Sequence, residues 1–426
     1  MTGTIRVAAT LSVFAAMLVL MIVRPRRWNE AWWTMLAAAA MLLLGLVSPH
    51  DALGAVLAGK NTLLFLLSLL ALSLLVGKSG FFDWAAIRCA MVARGNAHDL
   101  YRNAFIAGAI VTAILSLDTT AVMLTPVMLA LVKRLKVPTA PYVLLCAFVA
   151  NVGSLLLPIS NLTNLLFANA FRQTFAAFAA RMIVPQLVAL ATTYAILRWN
   201  FRRDLPTTFN TEQLPEPASV VPNRPYFLLC VTVLVAVLIG YFLAPLIGLE
   251  PYVFAFAASA LLAITGIVKG RVHIRFLKEL SWDLFPFVIG LFIAVQGIEN
   301  LGIVAASSAW LSEMSAGSLQ NLLAASAATA FASNIVNNLP AALIARSVLL
   351  RSHAQMATVL SALIGANVGP MITPFGSLAT MLVLNFARRN GEEVSTSKLV
   401  ILGLWAVPVI LILTTLALAL TFAIVR

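Results

Sequence analysis

Long apolar runs follow one another along this chain, separated by short basic clusters. Val7–Val23, Thr62–Val76, Tyr226–Leu246, Val253–Val268 and Leu399–Val425 are five of them, most near the roughly 20 residues that carry a helix across a bilayer. No stretch between the runs is long and polar enough for a soluble domain. The pattern predicts an all-α polytopic membrane protein. The first run lacks a small-residue cleavage site and a basic cluster follows it, so it reads as a retained span and not as a signal peptide.

The basic clusters predict the orientation. Arg24–Arg27, Lys78–Arg102, Lys133–Lys136, Arg198–Arg224, Lys269–Lys278 and Arg388–Lys398 hold 21 of the 28 Lys and Arg residues. The other loops hold five, Lys60, Arg172, Arg181, Arg346 and Arg351. Positive residues stay on the cytoplasmic side, so the clusters are expected there, with both termini outside. Residues 103–132 are then flanked by cytoplasmic clusters at both ends. One straight span cannot join two cytoplasmic flanks. A re-entrant hairpin can, turning near Ser116-Leu117-Asp118-Thr119-Thr120. Its counterpart, residues 318–348, is expected to enter from the opposite side and turn near Ser333-Asn334. The expected architecture is about ten spans plus two hairpins.

Composition adds exclusions. The chain is 62% hydrophobic and 10% charged, where a soluble protein carries about a quarter charged residues. The net charge of +13 would suit nucleic acid, but it sits in the clusters between spans. It is a topology signal, and no nucleic-acid partner is expected. Cys89, Cys146 and Cys230 show neither paired nor metal-type spacing; Cys146 reads as an apolar packing residue. His50, His98, His273 and His353 map to loops. No metal, cofactor or enzymatic constellation is expected at membrane depth.

A repeat lies within the chain. Residues 150–164 begin Ala-Asn-Val-Gly, and so do residues 366–380, an offset of 216. Pro158/Pro374 and Leu162/Leu378 match in the same register. The expected halves are residues 1–200, with hairpin 103–132 and a broken helix over 139–171, and residues 225–426, with hairpin 318–348 and a broken helix over 356–387. Residues 201–224 form a cytoplasmic linker. Five spans and one hairpin per half make an odd number of crossings, so the halves are expected to be inverted, with a site at the midplane between them. Gly and Pro free backbone groups that hydrocarbon cannot satisfy, and such breaks persist only against protein or a watered cavity. Around them stand Ser154, Ser160, Asn161, Thr163 and Asn164, then Thr373, Ser377 and Thr380. A single Ser or Thr in a membrane helix is more often a packing residue. Two polar clusters at equivalent breaks point instead to a binding site.

Of 15 acidic residues only Asp118 falls at membrane depth. A carboxylate there costs several kcal/mol unless paired or protonated, which makes it a functional candidate and the natural proton carrier. It can also cap the second arm of its hairpin at Thr119–Thr120. The repeat offset places Asn334 opposite it. Asn334, Asn337 and Asn338 fall at i, i+3 and i+4, so one helical face is expected to present three amides.

These residues resemble the ArsB family of arsenite efflux carriers, within a superfamily that also holds sodium/proton antiporters and dicarboxylate carriers. The resemblance rests on Ser333-Asn334-Ile335-Val336-Asn337-Asn338-Leu339-Pro340 and on Gly365-Ala366-Asn367-Val368-Gly369-Pro370 running into Gly376-Ser377-Leu378-Ala379-Thr380. Asp118-Thr119-Thr120 with Leu124-Thr125-Pro126, Ser160-Asn161-Leu162-Thr163-Asn164 and Lys78-Ser79-Gly80-Phe81-Phe82-Asp83-Trp84 add to it. Many members carry Asn-Asp where this chain has Leu117-Asp118. The resemblance implies a proton-coupled carrier in the bacterial or archaeal cytoplasmic membrane, exporting arsenite and antimonite as neutral trihydroxides by an elevator-like mechanism. Asp118 would couple the proton. Thr119, Thr120, Asn151, Ser160, Asn161, Asn164, Asn334, Asn337, Asn338, Asn367, Ser377 and Thr380 would supply the donors and acceptors a neutral solute needs. Some members work with a soluble ArsA-type ATPase. A sodium site would use similar oxygens, so a sodium/proton antiporter is the alternative.

Overall fold

The computed structural model describes residues 3–23, 25, 28–212, 214–314, 317–392 and 394–424. Arg24, Arg26 and Arg27, the basic residues of the first predicted cluster, lie outside the described residues. Among the described residues the regular structure is helical. In the first half run α1 (Gly3–Val23), α2 (Glu30–Leu43), α3 (Pro49–Ala58), α4 (Lys60–Lys78), α5 (Phe81–Val92), α6 (Ala97–Ile114), α7 (Leu117–Thr119), α8 (Thr125–Arg134), α9 (Ala140–Val152), α10 (Leu162–Ala170) and α11 (Phe175–Asn200). In the second run α12 (Arg224–Leu243), α13 (Pro251–Val268), α14 (Leu284–Glu299), α15 (Ile303–Glu313), α16 (Leu319–Val336), α17 (Asn338–Arg351), α18 (Met356–Val368), α19 (Leu378–Arg389) and α20 (Thr396–Ile424).

Among the described residues six helices, α1, α4, α11, α12, α13 and α20, are individually long and apolar enough to cross a membrane. The pair α14 and α15 passes the same test together, bent by 71°. Helices α2, α9 and α18 are apolar but shorter. Boundaries repeat between the halves: α9 starts at residue 140 and α18 at 356, α10 at 162 and α19 at 378. Packing is reciprocal too. Helix α2 lies on α14 as α13 lies on α4, and α6 lies on α9 as α16 lies on α18.

The repeated glycines explain part of this packing. A Cβ on Gly369 would stand 2.4 Å from Ala330 Cα, and one on Gly365 would stand 2.2 Å from the Ser326 carbonyl oxygen. Gly365 and Gly369 thus form the small-residue seam that lets two membrane helices touch backbone to backbone. In the first half Gly153 meets α6 likewise, its Cβ position 3.1 Å from Thr112 Cβ.

Among the described residues, buried apolar side chains form three clusters. The largest joins α5, α6, α8, α9, α11, α16, α18, α19 and α20, so it unites both hairpins with both broken helices. A second joins α4, α12 and α13, and a third α1, α2 and α14.

Contacts between loops put the described basic clusters on one face. Lys78 Nζ pairs with Glu279 Oε2 at 2.7 Å, and Lys133 Nζ with Glu392 Oε1 at 2.9 Å. The Phe209 N–H donates to the Gly95 carbonyl at 2.8 Å, which ties the 201–224 segment to the α5–α6 turn. Thr139 and Lys133 hold the Glu392 carboxyl below its usual range, chiefly by the Thr139 hydroxyl. At the other end of the molecule, Arg6 on α1 donates to the Leu46 carbonyl, as Asn300 does.

Candidate functional site

Two hairpin tips and two broken helices meet in the middle of the protein. In the first hairpin α6 ends at Ile114 and Ser116 is fully extended. The Ser116 hydroxyl accepts from the Thr119 N–H at 3.1 Å, and Thr119 Oγ1 donates to Ser73 Oγ of α4 at 2.8 Å. Residues Thr120–Leu124 then form a π-helical turn. Thr125 Oγ1 donates to the Thr120 carbonyl at 2.8 Å, and Thr120 Oγ1 lies 2.7 Å from Thr112 Oγ1. Such π-turns are frequent at functional sites; this one begins two residues after Asp118.

In the second hairpin the chain turns at Asn337, with φ 77° and ψ 156°. This region is sparsely populated for a side-chain-bearing residue and costs on the order of 1–3 kcal/mol. The opposing break holds it there. Asn337 Nδ2 donates to the Phe375 carbonyl at 2.8 Å, and the Asn338 N–H donates to the Gly376 carbonyl at 2.8 Å. The tip therefore binds the backbone that the break in α18–α19 leaves free.

This geometry corrects the sequence reading in four places. The second turn lies at Asn337, three residues after the expected Ser333-Asn334. Because α16 ends at Val336, Asn334 precedes the turn while Asn337 and Asn338 follow on its far side, and the three amides do not share one helical face. Asp118 lies just after the first turn and Asn334 before the second, so the two are not equivalent; the fixed offset fails across the hairpins. His50 and His98 open helices α3 and α6, Lys60 opens α4, Arg181 lies within α11, and Arg346 and Arg351 lie in α17, where loops were expected.

The breaks carry a buried amide network. Asn367 Oδ1 accepts from Asn161 Nδ2 at 2.9 Å and from Thr163 Oγ1 at 2.7 Å, while its Nδ2 donates to Asn164 Oδ1 at 2.6 Å. Asn164 Nδ2 donates to the Ser154 carbonyl at 2.6 Å and to the Leu157 carbonyl at 2.9 Å. Asn151 Nδ2 donates to Thr380 Oγ1 at 3.0 Å. Asn334 Nδ2 donates to the Gly369 carbonyl, and its Oδ1 accepts from Thr373 N and Oγ1. Ser160 Oγ donates to the Ala113 carbonyl at 2.7 Å, fastening the first break to the first hairpin. Ser377 is fully buried with its hydroxyl unpaired among the described residues.

Asp118 stands apart from this network. Among the described residues no hydrogen bond or ion pair reaches its carboxyl. It lines a cavity of about 620 Å³ with Thr119, Ser73, Glu30, Asp283 and Arg388. That cavity reaches Glu279, on the face that holds the basic clusters. Asp118 also lines a smaller chamber of about 40 Å³ between the tips, with Asn161, Thr163, Asn337 and Asn338. Asp118, Asn161, Asn337, Asn338 and Thr119 thus border open space. Thr120, Asn151, Ser160, Asn164, Asn334, Asn367, Ser377 and Thr380 line neither. Glu30 and Asp283, which the sequence did not single out, also face the large cavity. Their only signal was proximity to the helix starts at Glu30 and Leu284.

The sequence profile of the family described as "Arsenical pump membrane protein", ArsB, matches residues 9–422. The chain belongs to this family. An arsenical pump membrane protein of Yersinia enterocolitica is 30% identical over 424 residues, 97% of this chain and 98% of that one. Its counterpart in Escherichia coli K12 is 30% identical over 421 residues, 96% of this chain and 97% of that one. Among solved structures, the Alcanivorax borkumensis YdaH transporter superposes with a TM-score of 0.62 at 16% identity, covering 88% of both chains. Neisseria gonorrhoeae MtrF, from a class of antimetabolite efflux pumps, gives 0.50 at 14% identity, over 85% of this chain and 82% of that one. The ArsB-family chain is therefore a transporter and not an enzyme, a multi-pass protein of the bacterial inner membrane.

Proposed function

We propose that this ArsB-family member is a proton-coupled secondary carrier that exports arsenite and antimonite as neutral trihydroxides. The observation that carries the reading is the position of Asp118. Its carboxyl, unpaired among the described residues, stands at the junction of a small chamber bordered by three asparagines and a cavity open to the face bearing the basic clusters. A chamber of about 40 Å³ has room for about three waters, comparable to a small trihydroxide. Beside Asp118 and eight apolar residues it is lined by Asn161, Thr163, Asn337 and Asn338, uncharged groups with donors and acceptors, as an uncharged solute requires. Asp118 takes a proton from outside and releases it to the cytoplasm, so inward proton flow drives export.

The remaining predicted residues have a second role in this reading. Asn151, Asn164, Asn334, Asn367 and Thr380 bond one another and the broken backbone, with only Asn151 Oδ1 of these amide groups unpaired among the described residues, and so keep the chamber in shape. The unit joined by the largest apolar cluster moves against α1, α2, α4 and α12–α14 in an elevator-like cycle. The halves 1–200 and 225–426 act as inverted repeats, which the shared boundaries and reciprocal packing support. The test is arsenite resistance in a host lacking its own exporter. The chain restores growth, and Asp118→Asn does not although it is inserted normally. Sodium-driven quenching changes of a pH dye without any arsenite response would instead establish a sodium/proton antiporter.

A further inference from the structure

Among the described residues, Phe287 and Leu378 both line three neighbouring spaces beside the hairpin tips. Phe287 is on α14, within the apolar cluster of α1 and α2, and Leu378 is the first residue of α19, just after the second break. Both border the chamber of about 40 Å³ between the hairpin tips, and both border the cavity of about 620 Å³. Both also border a third, narrow space of about 20 Å³ beside Asn337 and Phe375. Phe287 is 6% exposed, so its ring is packed into this partition and does not lie free in the cavity.

We propose that Phe287, closing against Leu378, is the cytoplasm-side gate of the chamber and sets the size of solute that enters it. The proposal rests on the transport reading above only in taking the chamber as the solute site. Asp118 and Leu284 border the same two spaces, so the partition is apolar but for one carboxyl, and each side carries polar groups. Asn161, Asn337 and Asn338 lie in the chamber, and Glu30, Asp283 and Arg388 in the cavity. An aromatic ring between the two spaces excludes water from a continuous file while it is in place. It has only two side-chain torsions to turn, so withdrawal orders or frees little else. Phe287 and Leu378 stand on the two bodies that shift relative to each other in the proposed cycle. Relative motion thus opens or shuts the gap without a separate lid. The passage fits a small neutral trihydroxide. An aryl-substituted trivalent arsenical, with a ring in place of one hydroxyl, is excluded while Phe287 is present.

The test uses thiol accessibility, which needs no transport activity. Leu117 lines the chamber, and Val122 lines the large cavity. Leu117→Cys and Val122→Cys are made separately, each with Phe287 and with Phe287→Ala, and everted vesicles are treated with a membrane-impermeant methanethiosulfonate. The chain with only its own Cys89, Cys146 and Cys230 supplies the background. Leu117→Cys should react at least tenfold faster when Phe287→Ala is present, while Val122→Cys is unchanged. Phe287→Leu, a milder change that keeps the packing apolar, should give an intermediate rate should the alanine variant fold poorly. Vesicles carrying Phe287→Ala should also take up phenylarsenite that the parent rejects. Equal Leu117→Cys rates with and without the ring overturn the gate, and increased labelling without phenylarsenite uptake overturns the size filter. A gate that behaves as described in a chain that moves no arsenite contradicts the transport reading alone.

Discussion

Asn367 makes three side-chain hydrogen bonds from the second broken helix to the first, and its removal has a calculable effect. Truncation to alanine leaves two donors, on Asn161 and Thr163, and one acceptor, Asn164 Oδ1, without their partner at positions at most 3% exposed. Each orphaned buried group costs about 1–3 kcal/mol, although hydrogen bonds between membrane helices average only about 0.6 kcal/mol because alternatives are found. Thr163 can rotate to a new partner. Asn164 cannot turn over, since its amide nitrogen already donates to the Ser154 and Leu157 carbonyls. We therefore expect Asn367→Ala to destabilise the protein by about 2–4 kcal/mol, within the range for a broken buried network. The assay is a double-mutant cycle with Asn161→Ala, read by tryptophan fluorescence during reversible unfolding in mixed micelles. The account expects a coupling of about 1 kcal/mol. Additivity within about 0.5 kcal/mol, the behaviour of independent sites, would refute the bracing role and return Asn367 to the solute.

Other outcomes follow from the same geometry. Asn337→Gly relieves the strained turn but loses the bond to Phe375, so it should be near neutral in stability, whereas Asn337→Ala loses the bond and keeps the strain; a melting series separates them by about 1–2 kcal/mol. Gly369→Leu drives a side chain into α16, where even a Cβ would meet Ala330 at 2.4 Å, and should cost about 3 kcal/mol or more, seen as loss of folded protein in detergent. Glu392 has a depressed folded pKa, so its stabilisation is present above the unfolded value of about 4.5 and is lost as pH falls through the lower folded value. Melting temperature against pH should therefore drop less steeply on the acid side for Glu392→Gln than for the parent.

Much of the architecture could be read from the residues. The broken helices were expected over 139–171 and 356–387, and the helix–break–helix segments run from Ala140 to Ala170 and from Met356 to Arg389. Gly and Pro in register announce a break because their effect on the backbone is local. The basic clusters announced a common face for the same reason: each charge acts through its own contact with water. The second turn was misplaced because the strain at Asn337 is imposed from elsewhere, by the Phe375 and Gly376 carbonyls. The π-turn at Thr120–Leu124 likewise left no periodic signal. Most of all, sequence could nominate a dozen polar residues but not sort them. Asn164 and Asn367 are 203 positions apart, and only the fold reveals that they satisfy each other while Asn337 and Asn338 border open space. Phe287 went unnoticed because a phenylalanine in an apolar helix carries no mark of its position between two cavities.

The central claim, that Asp118 couples export of a neutral solute to inward proton flow, is tested most directly by arsenite uptake into everted vesicles. A pH gradient, acid inside, should drive accumulation by the parent chain and collapse of that gradient should abolish it, while Asp118→Asn should lose gradient-driven uptake and retain only downhill exchange. Full gradient-driven accumulation by Asp118→Asn would contradict the account.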